Sequence, residues 1–324
     1  MKITVFGTGG VGGYFGARLA QAGCDVGFVA RGAHLAALRE RGLRVTSELG
    51  DAALAHVRAA ADPRELGVPD WAFVCVKLWD TDAAVGALAP AVGPGTAVIS
   101  FQNGVQKDDV LRPAFGPERV VGGVAYISAG IAEPGVIRHT GRLAKLAFGE
   151  YGGGESARTT ALLDVARRAG IDAALAPDVT RAIWEKFAFL VGMSGATASM
   201  RTTIGPVREH PRTRAFLLGL MREVVAVGNA DLAAAGTDAR LDEERVVGGM
   251  FAQTDAIGDY RTSMALDYVY GRPLEAEAIH GEVARRAESL GVAAPSLATL
   301  YAIVRAADAR VRGEMAVIGR EEAG

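Results

Sequence analysis

A chain of 324 residues is long enough for two domains of ordinary size, each with its own core. Half of the residues are hydrophobic and the formal charge is −2, which excludes nucleic acid as a main partner, because phosphate binding needs a concentrated basic face. The only cysteines, Cys24 and Cys75, lie in or beside apolar strands, as expected of buried thiols in a reducing compartment; with a first strand from Lys2 leaving no room for a signal peptide, the expected location is cytoplasmic.

The first thirty residues carry the strongest pattern. Ile3, Val5 and Phe6 form an apolar run, and Gly7, Thr8, Gly9, Gly10, Val11 and Gly12 then place glycines at every position of G-x-G-x-x-G. Tyr14 to Ala22 has helix composition, Gly23 stops it, and Val26 to Ala30 is a second apolar run. Strand, glycine turn, helix and strand in that order is the context that raises the motif above chance as a dinucleotide site, the bland alternative being an ordinary glycine-rich turn. Gly7 permits the tight turn, Gly9 lets a pyrophosphate approach the backbone, and Gly12 lets the helix lie close to the sheet, with helix N–H groups facing the phosphates. An NAD site usually offers an acidic side chain about 20 residues past the glycines. This chain has Arg31, whose fixed donors suit a 2′-phosphate, so NADP(H) is the expected cofactor. The bland alternative is an arginine capping a strand at the surface.

Further along, Ala33 to Arg41 reads as a charged helix, and Leu43 to Thr46 and His56 to Ala60 as short strands. The run from Trp71 to Val76 suits a central parallel strand covered on both faces. A helix over Ala83 to Ala91 and a strand over Thr96 to Ser100 continue the alternation, which predicts an α/β fold with a Rossmann-type doubly wound sheet. Ligands in such folds lie beyond the carboxyl ends of the strands, where two polar loops follow, Lys77 to Asp80 and Phe101 to Gly104. Asn103 can donate and accept at once, although Asn-Gly is equally ordinary turn chemistry. Strands are predicted at Val120 to Ser128, Val136 to His139, Lys145 to Phe148 and Ile171 to Leu175, with a helix at Ser156 to Ala169.

Pro177 marks the expected boundary, giving a dinucleotide-binding domain over 1–176, an all-helical domain over 177–316 and a tail over 317–324, of which Arg320 to Gly324 reads as disordered. Between Arg181 and Arg201 the only charged residues are Glu185 and Lys186. A helix apolar nearly all round should be buried, so Lys186 must reach a partner, a cleft or a ligand; a structural ion pair is the plain alternative. The uncharged stretch from Phe187 to Met200 is shorter than the roughly 20 residues a membrane span needs, so no membrane is expected. Helices are predicted over Pro211 to Ala235, Leu241 to Gly258, about Glu275 to Leu290, and Ser296 to Arg312. Glu275 and Glu277 stand at the start of the third of these, where carboxylates favour the dipole, and His280 is expected to pair with Glu277 on its surface. No His/Cys/Asp cluster has metal-ligand spacing. The apolar helical half is compatible with a homodimer and equally with a monomer core.

Taken in order, GTGGVG, Arg31, the Lys77 loop, FQNG, WEK, RTTIG, TSMALD and RPLEAEAIHG resemble the ketopantoate reductases (2-dehydropantoate 2-reductases) from Met1 to about Asp308. The resemblance implies a Rossmann domain followed by a helical domain, and reduction of ketopantoate by NADPH on the route to pantothenate. It places the catalytic lysine on Lys186 and the family's glutamate on Glu275, which could orient Lys186 or bind a hydroxyl of substrate or ribose. It also puts substrate contacts on Asn103 and Ser263, a cofactor lysine on Lys77 and a backbone contact to nicotinamide near Ala129. Where the ketopantoate enzymes use asparagines four, eight and eighteen positions past the lysine, this chain has Leu190, Ser194 and Ile204. The hydroxyl of Ser194 remains as a substrate contact. A group left unpaired costs about 1–3 kcal/mol, enough for three changes to redirect specificity to another ketone or imine. A dinucleotide-sensing module that has lost catalysis is the rival of a different class.

Overall fold

The computed structural model describes residues 1–257 and 260–316. The expected tail, and Gly258 at the end of one expected helix, lie outside the described residues. The chain divides into two compact units, Met1–Ile183 and Trp184–Gly324.

In the first unit, β1 (Lys2–Phe6), α1 (Gly10–Gln21), β2 (Asp25–Val29) and α2 (Gly32–Arg41) follow one another as the glycine pattern predicts. β3 (Leu43–Thr46), β4 (Ala52–Leu54) and β5 (Arg58–Ala60) come next, then β6 (Trp71–Val74), α3 (Thr81–Leu88), β7 (Ala97–Ser100) and α4 (Lys107–Phe115). Two 14-residue strands, β8 (Val120–Glu133) and β9 (Val136–Gly149), replace the three short strands expected there. Their bulges, with register shifts between Ile127 and Ala129 and between Ile131 and Glu133, let the glycine-rich stretch stay paired rather than break it. α5 (Ala157–Arg168), capped by Ser156, leads to β10 (Asp172–Leu175).

All ten strands join one mixed sheet in the order β4-β3-β9-β8-β7-β6-β1-β2-β5, with β10 beside β9. The parallel run from β8 through β5 is the Rossmann-type part; the antiparallel β8–β9 hairpin extends it. Ile3, Val5, Phe28, Phe73, Ile99 and Phe148 are fully or almost fully buried in its main core. The Trp71–Val74 segment is buried at every position, as a strand covered on both faces must be.

α6 (Val179–Met200) starts in the first unit and continues into the second, which is all-helical: α7 (Ile204–Glu209), α8 (Pro211–Ala234), α9 (Glu243–Ile257), α10 (Ser263–Val269), α11 (Glu282–Leu290) and α12 (Pro295–Val311). A π-helical turn, Glu277–Gly281, precedes α11, so the helix expected from Glu275 opens with one wide turn. α8 is the centre of this unit, burying Leu217, Leu220, Met221 and Val224. Gly228 lets Trp184 lie against it, since a Cβ there would stand 2.9 Å from the indole.

Candidate active site

The glycine loop is closed by backbone contacts at every glycine but one. Gly7 has φ +100°, which L side chains rarely adopt, and a Cβ on it would lie 2.7 Å from the Val76 amide nitrogen. A Cβ on Gly10 would fall 2.1 Å from the Ala129 carbonyl oxygen, and one on Gly12 would fall 2.3 Å from that of Gly7. Only Gly9 opens onto empty space, with nothing within 4 Å of its Cβ position. It is also the N-cap of α1, with no capping side chain and no acidic residue in the first turn. Uncapped N–H groups at a helix start, beside open space and the positive end of the dipole, fit a pyrophosphate. Thr8 serves as a brace: its hydroxyl donates to the Val29 carbonyl at 2.9 Å, and the Gly7 and Thr8 amides donate to that same oxygen.

Arg31 follows β2 as the N-cap of α2, and its side chain is 85% exposed. Its guanidinium bonds the Asp80 carboxylate at 3.2 Å, which ties it to the loop after β6. In that loop the Lys77 ammonium lies 5.7 Å from the centre of the exposed Trp79 ring. Gln102 joins this loop to the one after β7. Its amide nitrogen donates to the Thr81 hydroxyl at 2.8 Å and to the Lys77 carbonyl at 3.3 Å, and its oxygen accepts from the Ser100 hydroxyl at 2.8 Å. Asn103, next along, is half-buried. Beneath the loop, the buried Lys107 ammonium donates to the Ser100 carbonyl at 3.1 Å and pairs with Asp108 at 2.7 Å, and the Tyr151 hydroxyl donates to the same carboxylate. Cys75, adjacent to the Gly7 turn, is a free thiol whose pKa desolvation pushes up to about 12, so it stays protonated and inert.

In the second unit, Lys186, Leu190 and Ser194 recur every four residues along one face of α6. Lys186 and Leu190 are half-buried, while Ser194 is buried and its hydroxyl has no hydrogen-bond partner among the described residues. One turn on, the Thr197 hydroxyl bonds that of Thr262 at 2.8 Å, which caps α10 and sets Ser263, exposed, at that helix's first position. α6 ends on Arg201, the sole non-glycine residue with positive φ among the described residues, at 54°. Glu275 is a buried carboxylate, 7% exposed. Its segment is pinned by the Leu274 amide, which donates to the buried Asp308 carboxylate at 2.8 Å, itself bonded by Arg312 at 2.9 Å.

Residues 3–153 match the family described as Ketopantoate reductase PanE/ApbA, and residues 178–308 match its C-terminal counterpart. The 2-dehydropantoate 2-reductase of Mesorhizobium japonicum is 32% identical over 94% of this chain and 97% of its own. The chain belongs to the ketopantoate reductase family. The 2-dehydropantoate 2-reductase of Geobacter metallireducens superposes with a TM-score of 0.87 at 31% identity, covering 94% of this chain and 99% of that one. D-mandelate dehydrogenase in complex with NADH and anilino(oxo)acetate shares the fold, with a TM-score of 0.87 at 21% identity over 96% of this chain and 100% of that one. As a member of the ketopantoate reductase family the protein is an oxidoreductase acting on a CH–OH/keto group.

One expectation for this ketopantoate reductase homologue is overturned. His280 is not a surface partner of Glu277: it is 0% exposed, and its Nε2 bonds the Val191 carbonyl at 3.1 Å. The π-helical turn rotates it inward, onto Gly195, where a Cβ would sit 2.6 Å from Nε2. Glu277 instead bonds Arg285 and the Tyr301 hydroxyl, and the Tyr301 bond is the main cause of its lowered pKa. Asp80, Gln102, Lys107, Asp108, Tyr151 and Asp308 were not singled out from sequence. Only Asp80 and Gln102, inside the two polar loops after β6 and β7, carried a signal that could have found them.

Proposed function

We propose that the chain reduces a 2-keto acid, 2-dehydropantoate before any other, with NADPH as cofactor. The observation that carries this reading is the pairing of an open, uncapped glycine-loop helix start with an exposed arginine at the end of β2. In it, 1–176 is the cofactor domain and 177–316 the substrate domain. Gly7, Thr8, Gly9, Gly10, Val11 and Gly12 cradle the pyrophosphate, Arg31 takes the 2′-phosphate, and Lys77, Asn103 and Ala129 flank the nicotinamide half. The guanidinium fork of Arg31 suits a phosphate better than a ribose hydroxyl, and its bond to Asp80 keeps the fork in place at the strand end.

When bound, the reduced nicotinamide supplies a hydride to the carbonyl carbon. The chain's own part is to hold the keto acid and manage the charge on its oxygen. Lys186 donates a proton to that oxygen, an acid role suited to an ammonium that is half-buried on an apolar helix. Glu275, as a buried carboxylate, supplies the counter-charge that keeps an ammonium or hydroxyl in register. Asn103, Ser194 and Ser263 contact the substrate, and the unpartnered hydroxyl of Ser194 is ready to bond a ligand oxygen.

Leu190 and Ile204 favour a second reading, a reductase of the same family acting on another ketone or imine, because neither can hydrogen-bond the acid that the asparagines of ketopantoate enzymes hold. An NADPH-oxidation assay across ketopantoate and other 2-keto acids separates the two. Lys186→Ala should keep NADPH binding and lose about a hundredfold or more in turnover. Wild-type turnover in that variant would refute the assignment, and tight cofactor binding without turnover of any substrate would point to a sensor. Equal affinities for NADPH and NADH would remove the phosphate role of Arg31.

A further inference from the structure

The edge of the sheet in the first unit carries a cleft that none of the chemistry above uses. Leu43 and Val45 of β3 and Ile137 of β9 are buried, on the face where α1 packs: Ile137 lies 2.7 Å from the Cβ position of Gly13. Alternation sends Arg44, Thr46, Val136 and Arg138 to the opposite face. The parallel register sets Arg44 beside Val136 and Thr46 beside Arg138, so the two arginines are diagonal neighbours with the threonine next to them. Together with Ala132 and Glu133 of β8 they line a cleft of about 230 Å³. One water occupies roughly 30 Å³ of liquid, so the cleft has room for an oxyanion with its substituent.

Two observations point to an anion site here, and a third to its being preformed. First, Arg44 and Arg138 make no ion pair and no side-chain hydrogen bond among the described residues, although Glu133 lines the same cleft. Two like charges held on one face of neighbouring strands repel, and an anion between them relieves that repulsion. Second, the Thr46 hydroxyl is buried without a partner among the described residues, a condition native structures seldom leave unmet. Third, the rim is already fixed. Arg41 donates to the Pro134 carbonyl at 3.3 Å, the Gly135 amide to His34 Nδ1 at 3.1 Å, and the Arg44 amide to the Gly135 carbonyl at 2.9 Å.

We propose that this cleft binds a phosphate group, with Arg44 and Arg138 as the charge-bearing donors and the Thr46 hydroxyl as the third. Two guanidiniums offer several fixed donors to its oxygens. With Glu133 at its edge the lining carries a net single positive charge, and a phosphate, with more oxygens than a carboxylate, can face both guanidiniums and the threonine at once. The group is either free inorganic phosphate or the head of a phosphate monoester, which share this chemistry.

Calorimetric titration of the full chain at low salt tests it, with inorganic phosphate in one arm and O-phosphoserine in the other. Saturable millimolar binding is expected. Tighter phosphoserine binding assigns the cleft to monoesters, and tighter inorganic phosphate binding assigns it to the free ion. Arg44→Gln and Arg138→Gln should each weaken binding about tenfold, Thr46→Val less, and the lysine variants at both arginines should retain part of it. Arg31→Gln should leave this binding unchanged. No saturable binding at tens of millimolar, or undiminished binding in the Arg44→Gln/Arg138→Gln protein, overturns the proposal. Binding lost only in Arg31→Gln belongs to the nucleotide loop and also overturns it, whatever the outcome of the reductase assays.

Discussion

His280 should make the second unit acid-sensitive by an amount that can be worked from its surroundings. The ring is fully buried against α6, Nε2–H donates to the Val191 carbonyl, and Nδ1 has no partner among the described residues. Protonation would place an unsolvated charge there, and desolvation accordingly lowers its pKa from 6.5 to about 4. The folded-state value lies below the unfolded one, so the unfolded chain takes up the proton first and stability falls as pH drops from 6.5 towards 4. A difference of this size corresponds to about 3 kcal/mol in full, and about 2 kcal/mol between pH 7.5 and 5. Urea denaturation of wild type and His280→Gln at both pH values isolates the effect from the carboxylates that titrate in the same range. The glutamine amide keeps a donor for Val191 and cannot titrate, so the wild-type advantage should shrink by about 2 kcal/mol at the lower pH. An advantage that stays constant would mean that His280 is hydrated or already paired, and the burial argument would fail.

Other outcomes follow from the first unit. Gly10→Ala should abolish cofactor binding or folding, since its methyl would meet the Ala129 carbonyl oxygen at 2.1 Å and both partners are backbone; thermal denaturation and dinucleotide titration report this. Lys107→Met should cost about 3–5 kcal/mol in urea denaturation by leaving the Asp108 carboxylate buried and unpaired, and Lys107→Met/Asp108→Leu should recover much of that loss. Gln102→Leu removes the bonds joining the loops after β6 and β7, so KM for the dinucleotide should rise severalfold, and the melting temperature should fall because buried partners at Ser100 and Thr81 lose their bonds. Gln102→Glu should keep only the bond accepted from the Ser100 hydroxyl and so leave the two loops unjoined; an unchanged KM in both variants would deny Gln102 its positioning role.

The sequence alone was sufficient for the glycine loop, the strand and helix order around it and the apolar helix bearing Lys186. Each is written in residues that are neighbours along the chain: turn glycines at fixed offsets, continuous apolar runs for covered strands, a proline at the start of α8. It also carried the family, through the order of eight short motifs. Tertiary structure decided which side chains meet. Arg31 and Asp80 are 49 positions apart, Tyr151 and Asp108 are 43 apart, and His280 reaches Val191 across 89. Local pattern sets no such distance. The inward turn of His280 came from a single wide helical turn that shifts a face by a fraction of a residue, and the two unpaired arginines became neighbours only when β3 was laid beside β9. Periodicity specifies which face a residue occupies within its own element, whereas burial and charge pairing depend on which element packs against that face, and that is settled only when the whole sheet and bundle close.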